Sequence, residues 1–347
     1  MVSALTEPVR FGLLGYGSGG RYFHAPLIAS APECTFVAVA TTSSDRRSQV
    51  AGDHPMVAVC DSLDDLVAIG VEAVTISTPA HTHTELTEAA LRRGLAVVCD
   101  KPFALDAASA AGTVALAEDL GRVLSPYQNR RWDSDFLTMQ ALVRNERLGS
   151  PARFESRFER FAPERGPRPA GGGTLLDFGS HLVDQALVLL GPVATVYAEW
   201  RLRESGLDDD VFVALTHRSG THSMLWCSWS QTAPGHRFRL TGSEAAYVVD
   251  GPMDGQEALL LRGESPSTLG ERWGQEPEAR WGQVQRGEHR ETVPSLPGAW
   301  NTYYPAFASA VRGLADPPVA ARDAVETVRV LDAARTSATT RDVVEVA

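Results

Sequence analysis

Residues 9–20 read Val-Arg-Phe-Gly-Leu-Leu-Gly-Tyr-Gly-Ser-Gly-Gly. The first six form a short buried strand. Gly15, Gly17 and Gly20 follow with G-x-G-x-x-G spacing, and a helical stretch runs on to about Ser30. Between a strand and a helix, that spacing means dinucleotide binding. The glycines let the turn close, and the helix N-terminus seats the pyrophosphate. Gly15, Gly17, Ser18 and Gly20 are therefore expected on the cofactor. No G-x-x-x-x-G-K-[ST] run occurs, which excludes a phosphate-cleaving P-loop.

Working outward, apolar strands are expected at 35–41, 57–60, 73–77, 95–99 and 122–125, with helices at 61–69, 83–93 and 106–120. Strand and helix alternating this often mean a parallel sheet with helices on both faces. The pattern changes near residue 126. A helix at 133–147 is followed by strands at 152–160, 193–203, 211–218, 222–230, 236–241 and 245–249, most joined by short turns. Such a series reads as a largely antiparallel sheet. An amphipathic helix at 174–190 is entered from Gly171-Gly172-Gly173. The glycine- and proline-rich stretch 251–298 reads as an irregular surface excursion. Helices at 301–314 and 323–337 close the chain.

The fold class is thus α/β: a Rossmann doubly wound parallel sheet at 1–125, then an α+β domain with a large, mostly antiparallel open sheet at 126–347. The last helix carries Val325, Val328 and Leu331 on one face and is expected to pack back toward the N-terminal domain. An open sheet leaves an apolar face exposed, so a homodimer or homotetramer through that sheet is expected.

Composition agrees with a soluble globular protein of about two domains. The chain has 347 residues, 44% hydrophobic and 22% charged. A net charge of −11, with arginine pairs only at 46–47, 92–93 and 130–131, argues against nucleic acid or an anionic membrane as partner. Cys34, Cys60, Cys99 and Cys227 form no C-x-x-C pair, and three lie in or beside apolar strands. Residues 1–10 lack a signal-peptide pattern, and no run of 18 apolar residues exists. A reducing cytoplasm is the simplest location.

Lys101 is the only lysine among 32 basic residues. Where coding bias has turned lysines into arginines, the survivor marks a place that needs a compact, titratable ammonium. It lies after the fifth strand, in Asp100-Lys101-Pro102, on the rim where open α/β sheets bind ligands. Pro102 suits a cis bond. His83, after Thr78-Pro79, lies on the same rim and is expected to line the nicotinamide or cap a helix. His81 and His83 lack a third ligand nearby, so no metal is expected.

The second strand ends in Thr41-Thr42-Ser43-Ser44, then Asp45-Arg46-Arg47. An NAD site places a carboxylate there for the ribose 2′-OH. Its absence, with Thr42, Ser43 and Arg46 able to bind a 2′-phosphate, favours NADP. An ordinary polar loop with Asp45 capping the next helix is the plainer alternative.

Asp177 and His181 stand at i and i+4 on one helix face. A carboxylate beside an imidazole sets its tautomer and raises its basicity for proton transfer. Asp184 adds a polar group one turn on. A third cluster, Tyr127 to Asp133, follows the sixth strand and reads either as a solvated hinge or as a polar and aromatic wall, with Asn129 and Arg131, for a many-hydroxyl substrate.

Together these pieces resemble the glucose–fructose oxidoreductase, inositol dehydrogenase and MocA family. The resemblance rests on Gly15 through Gly20, Thr78-Pro79 with His83, Asp100-Lys101-Pro102, and Asp177 with His181 behind the triple glycine. Phe23 to Leu27 and Asn129 to Asp133 look most like the NADP-dependent scyllo-inositol dehydrogenases. The family's usual Glu-Lys-Pro is shortened to Asp100-Lys101-Pro102. The resemblance implies NADP bound by the glycine loop, Thr78, Pro79, His83, Asp100 and Lys101. It implies Lys101, Asp177 and His181 as the catalytic triad, also touching substrate with Asn129 and Arg131. The implied reaction is reversible oxidation of a ring secondary alcohol. Two rivals share the fold: a non-catalytic dinucleotide and sugar sensor, and a glycosidase working through transient oxidation.

Overall fold

The computed structural model describes residues 7–251 and 253–346. The stretch 1–10, read above for a leader, falls partly outside them.

The first sheet has six parallel strands: β1 (Val9–Leu14), β2 (Cys34–Ala40), β3 (Ala58–Cys60), β4 (Ala73–Ile76), β5 (Ala96–Cys99) and β6 (Leu124–Pro126). Their order is β3-β2-β1-β4-β5-β6. β4 and β5 are buried at every position because both faces are covered. The covering helices are α1 (Ala25–Ser30), α2 (Ser44–Asp53), α3 (Leu63–Ala68), α4 (His83–Arg92) and α5 (Ala107–Asp119). Ser43, not Asp45, caps α2 by accepting from the Arg46 N–H. Register sets Leu14 beside Ala40 and Ile76, Ile76 beside Cys99, and Cys99 beside Pro126. The strands therefore end on one level, and every loop that follows opens onto the same rim.

Gly15 has φ +99°, and a Cβ there would stand 2.3 Å from the Ser77 carbonyl oxygen. A Cβ on Gly20 would stand 2.2 Å from the Gly15 oxygen. Only glycine allows that approach of turn to strand. The chain then enters a π-helical turn, Gly19–His24, before α1.

The second half starts with α6 (Ser134–Arg144), β7 (Pro151–Glu159) and α7 (Ser180–Leu190), then β8 (Val193–Leu202), β9 (Asp208–His217), β10 (His222–Ser228), β11 (Phe238–Gly242) and β12 (Ala246–Val249). A π-helical turn, Leu175–Gly179, leads into α7. Helices α8 (Gly255–Leu261) and α9 (Pro266–Leu269) precede β13 (Gln283–Arg286) and β14 (His289–Thr292). Helices α10 (Tyr303–Val311) and α11 (Ala321–Thr340) and the short β15 (Val344–Glu345) finish the described chain.

The nine strands are ordered β14-β13-β12-β11-β7-β10-β9-β8-β15. Neighbours are antiparallel except β7 and β10. The stretch 251–298 is thus no mere excursion: it adds a hairpin to the sheet, turned by Gly287 at φ +58°. Those strands escape sequence reading because they are short and polar, β14 at the sheet edge and β13 beside it, with Val284 the one buried side chain.

Helix α11 belongs to both cores. Ala324, Val325 and Val328 join the apolar cluster under the parallel sheet. One turn further, Val330, Leu331, Ala333 and Ala334 join the cluster under the open sheet. Leu331→Ala should lower unfolding free energy by about 2–5 kcal/mol through lost burial and a residual cavity. Urea titration followed by tryptophan fluorescence measures it.

Candidate active site

The parallel sheet reverses its strand order between β1 and β4, the switch point where open α/β sheets bind ligands. A cleft of about 460 Å³ opens there, between the rim and the inner end of the second sheet. Its walls include Gly15, Gly17, Ser18, Arg46, Thr78, Pro79, His83, Asp100, Lys101, Asn129, Asp177 and His181. Twelve sequence-selected residues, scattered over 167 positions, thus meet on one cavity.

At the glycine end, a Cβ on Gly17 would meet only the Arg46 guanidinium, at 3.7 Å. Bare glycine backbone beside a guanidinium is a cradle that suits a phosphate-bearing dinucleotide. Thr42 and Ser43 stay off the cavity wall; Thr42 is exposed and Ser43 is the α2 cap. Gly20 also lies behind the wall, where it lets the helix reach β1.

At the centre, Lys101 Nζ donates to Asp177 Oδ1 in a short ion pair and to the Asp177 carbonyl oxygen at 3.3 Å. The Lys101–Pro102 peptide is cis. The Lys101 backbone N–H donates to Asp100 Oδ1 at 2.8 Å, and Ser77 Oγ donates to Asp100 Oδ2 at 3.0 Å. Buried His24 places Nε2 3.2 Å from Asp100 Oδ2. Burial opposes charge on Asp100, but His24, Lys101 and His83 hold its carboxyl below the ordinary range.

Two histidines border this centre in opposite states. His83 faces the Pro102 carbonyl with Nδ1 at 2.7 Å and the Thr78 carbonyl with Nε2 at 2.8 Å. Carbonyl oxygens only accept, so the imidazolium alone satisfies both. Burial opposes that charge, yet Cys99, Asp100 and the Pro102 carbonyl push His83 up to about 9. His81 beside it is exposed. His181 is held well below its ordinary value, first by burial and then by Lys101, Arg130, Arg237 and Arg160. Its Nδ1 is buried without a partner.

That corrects the expected Asp177–His181 pair. The Asp177 carboxylate turns to Lys101, whose full charge outbids a neutral imidazole, and it leaves His181 to the cationic field. Arg131 is corrected too. It is absent from the cleft wall and donates bidentately to Asp184 at 2.7 and 2.8 Å and to Asp323 at 3.0 Å. It ties the Asn129–Trp132 turn to α7 and α11. Asn129 does line the cleft and is buried.

The far end holds residues that sequence reading missed. Phe158 and Phe178 stack at 3.8 Å, with Trp229 at 4.6 Å from Phe178. Glu257, from α8, accepts from Arg130 at 2.5 Å and from Arg160 at 2.9 Å. Arg160 follows β7, and Arg168 stands on the loop before the triple glycine. None sits in a local motif; only folding brings them together. Among the described residues, no group of three or more His, Cys, Asp or Glu is placed to hold a metal ion.

The family model "Oxidoreductase family, NAD-binding Rossmann fold" matches residues 9–128. The model "GFO/IDH/MocA C-terminal domain" matches residues 136–248. The chain is 37% identical over 339 residues to the uncharacterized oxidoreductase YdgJ of Escherichia coli, covering 94% of this chain and 96% of that one. It is 31% identical over 342 residues to the scyllo-inositol 2-dehydrogenase (NADP(+)) IolW of Bacillus subtilis, covering 95% and 94%. Among solved structures, the oxidoreductase yvaA of Bacillus subtilis superposes with a TM-score of 0.92 at 30% identity, covering 99% of both chains.

Arg131 supplies the prediction for this site. Arg131→Leu leaves Asp184 buried without its partner and should destabilise the fold by about 3–5 kcal/mol. In the folded fraction, KM for substrate should stay within about twofold. Thermal unfolding and steady-state kinetics on one preparation separate the two effects.

Proposed function

The chain belongs to the GFO/IDH/MocA oxidoreductase family, and on that premise we propose that it moves a hydride between NADP and a ring secondary alcohol of a sugar or cyclitol. The observation that carries this reading is the meeting of Lys101, Asp177 and His181 on one wall of the cleft that begins at the glycine loop. The nicotinamide, when bound, supplies the hydride donor or acceptor. Gly15, Gly17, Ser18, Thr78 and Pro79 form the cradle, with His83 bracing the two rim loops and Asp100 fixing the Lys101 backbone.

His181 is the general base. Burial and its cationic neighbours keep the imidazole neutral, ready to accept the hydroxyl proton. Lys101 stabilises the developing alkoxide. Asp177 holds that ammonium in place and is thereby a positioning group for Lys101. Asn129 offers a buried amide to substrate hydroxyls.

The preference for NADP rests on the missing carboxylate after β2 and on Arg46, whose guanidinium faces the cleft. The relative IolW is named as NADP(+)-dependent and as acting on scyllo-inositol, which supports both the cofactor and the polyol class. Subunits pair through the outer face of the second sheet, as a homodimer or homotetramer. Register places Tyr197, Ala214 and Met224 in one row there and Phe212 beside Trp226 in the next. All four cysteines are free thiols, as the cytoplasm would keep them, and no described helix is long and apolar enough to cross a membrane.

A panel of inositols and aldoses, assayed with NADP and NAD by nicotinamide absorbance, tests the reading. NADP-linked turnover is expected. Cofactor binding without turnover would indicate a sensor, and sugar release without net cofactor reduction would indicate a glycosidase. Lys101→Met should lower turnover about a hundredfold or more. Near-normal turnover of that variant would overturn the role.

The pH profile has a defined sign. Oxidation needs neutral His181, so its rate should fall as pH drops, with the midpoint below the ordinary histidine value of 6.5. Reduction needs the imidazolium and should weaken as pH rises through the same midpoint. Arg160→Gln removes one cationic neighbour and should move that midpoint upward. A midpoint above 6.5 in the wild type would contradict the assignment.

A further inference from the structure

We infer that the substrate carries an anionic group, a carboxylate or a phosphate, and that Arg160 and Arg168 receive it. This deepens the hydride-transfer reading and rests on it.

The argument begins with charge in the substrate half of the cleft. The cations on its wall are Lys101, Arg130, Arg160 and Arg168, and the carboxylates facing them are Asp177 and Glu257. Asp177 is taken by Lys101. Glu257 is divided, one oxygen to Arg130 and the other to Arg160. Asp133 also approaches Arg130, at 3.3 Å, but burial pushes its carboxyl well above the ordinary range. Asp100 faces His24 and is drawn on by His83. Arg168 makes no ion pair among the described residues; its Nε donates to the Arg165 carbonyl at 2.9 Å. The half-cleft is left with surplus positive charge.

Donor accounting leads to the same place. A guanidinium carries five N–H donors and no acceptor. Among the described residues, Arg160 gives one hydrogen bond, to Glu257, and Arg168 gives one, to the Arg165 carbonyl. Both residues line the cleft. A neutral polyol needs acceptors as often as donors, whereas two part-filled guanidinium forks match the oxygens of an anion.

Arg160 is also held still. Its guanidinium lies 4.9 Å from the Phe158 ring centroid, 5.6 Å from Phe178 and 5.8 Å from Trp229. A cation fixed by stacking and by one ion pair loses little freedom when a ligand arrives. His181 feels the same cations: burial first, and then Lys101, Arg130, Arg237 and Arg160, depress its basicity. An anion docked there would relieve that field at the reacting centre. The cofactor's phosphates have their own cradle at Gly15, Gly17 and Arg46, at the glycine end of the cleft.

The experiment compares matched substrates: D-glucose, D-glucuronate and D-glucose 6-phosphate, and D-galactose with D-galacturonate, each with NADP. The charged member of at least one set should exceed its neutral parent in kcat/KM by about tenfold or more, the worth of one good charge-assisted contact. Glucuronate and glucose 6-phosphate distinguish carboxylate from phosphate. Arg168→Gln, an exposed change that leaves the fold intact, and Arg160→Gln should each collapse the ratio toward one. Neutral parents that match or outperform the acids in the wild type would overturn the proposal. So would variants that depress acid and neutral substrates equally, or an Arg168→Gln whose effect falls on the NADPH dissociation constant. If no sugar is oxidised, the hydride-transfer reading has failed, and D-glucuronate titrated into the NADPH complex by nicotinamide fluorescence still decides the anion site. Binding lost in Arg168→Gln sustains it; no binding ends it.

Discussion

A parallel sheet whose strand order reverses between β1 and β4 must part its loops at that seam, and here the parting is held open by backbone alone. Gly15 meets the Ser77 carbonyl and Gly20 meets the Gly15 carbonyl at distances no side chain survives. Because the chain closes so tightly below, the loops after β1, β4 and β5 stand level above. Lys101 comes off the last of them and reaches Asp177 in the π-helical turn that leads into α7 of the other half. The cofactor cradle, the central ammonium and the aromatic far wall are consequences of where that seam lies.

Within the cleft, the chemistry of each group is fixed by its neighbours more than by its own type. His83 and His181 are both buried, yet they sit in opposite protonation states. Two backbone carbonyls call for a charged His83, while burial first and then a ring of cations disfavour charge on His181. The first then works as a brace and the second as a proton acceptor. Asp177 has a similar division of labour: its carboxylate serves the ammonium, which leaves the imidazole dependent on the field.

The fold was legible where local pattern and burial coincide. Strands buried on both faces read as apolar runs, and the glycine spacing could be placed between a strand and a helix. Lys101 was legible for a different reason, because a chain nearly purged of lysine kept one at the rim. The failures have physical causes as well. β14 is an edge strand, β13 lies next to it, and both are short and polar, so no apolar run announces them. Arg131 and Arg130 are adjacent and chemically identical, and only the turn decides that the first goes to Asp184 and the second to Glu257. Glu257, Arg160 and Trp229 come from separate elements, and their meeting is a property of the packing.

The way α11 lends its first half to one core and its second half to the other bears on how such chains can be recombined. A chimera joined near residue 126 would look modular on a linear map, yet its donor sheet would lose Ala324, Val325 and Val328 from beneath it. A graft of the cofactor-binding half must therefore carry a piece from the opposite end of the chain.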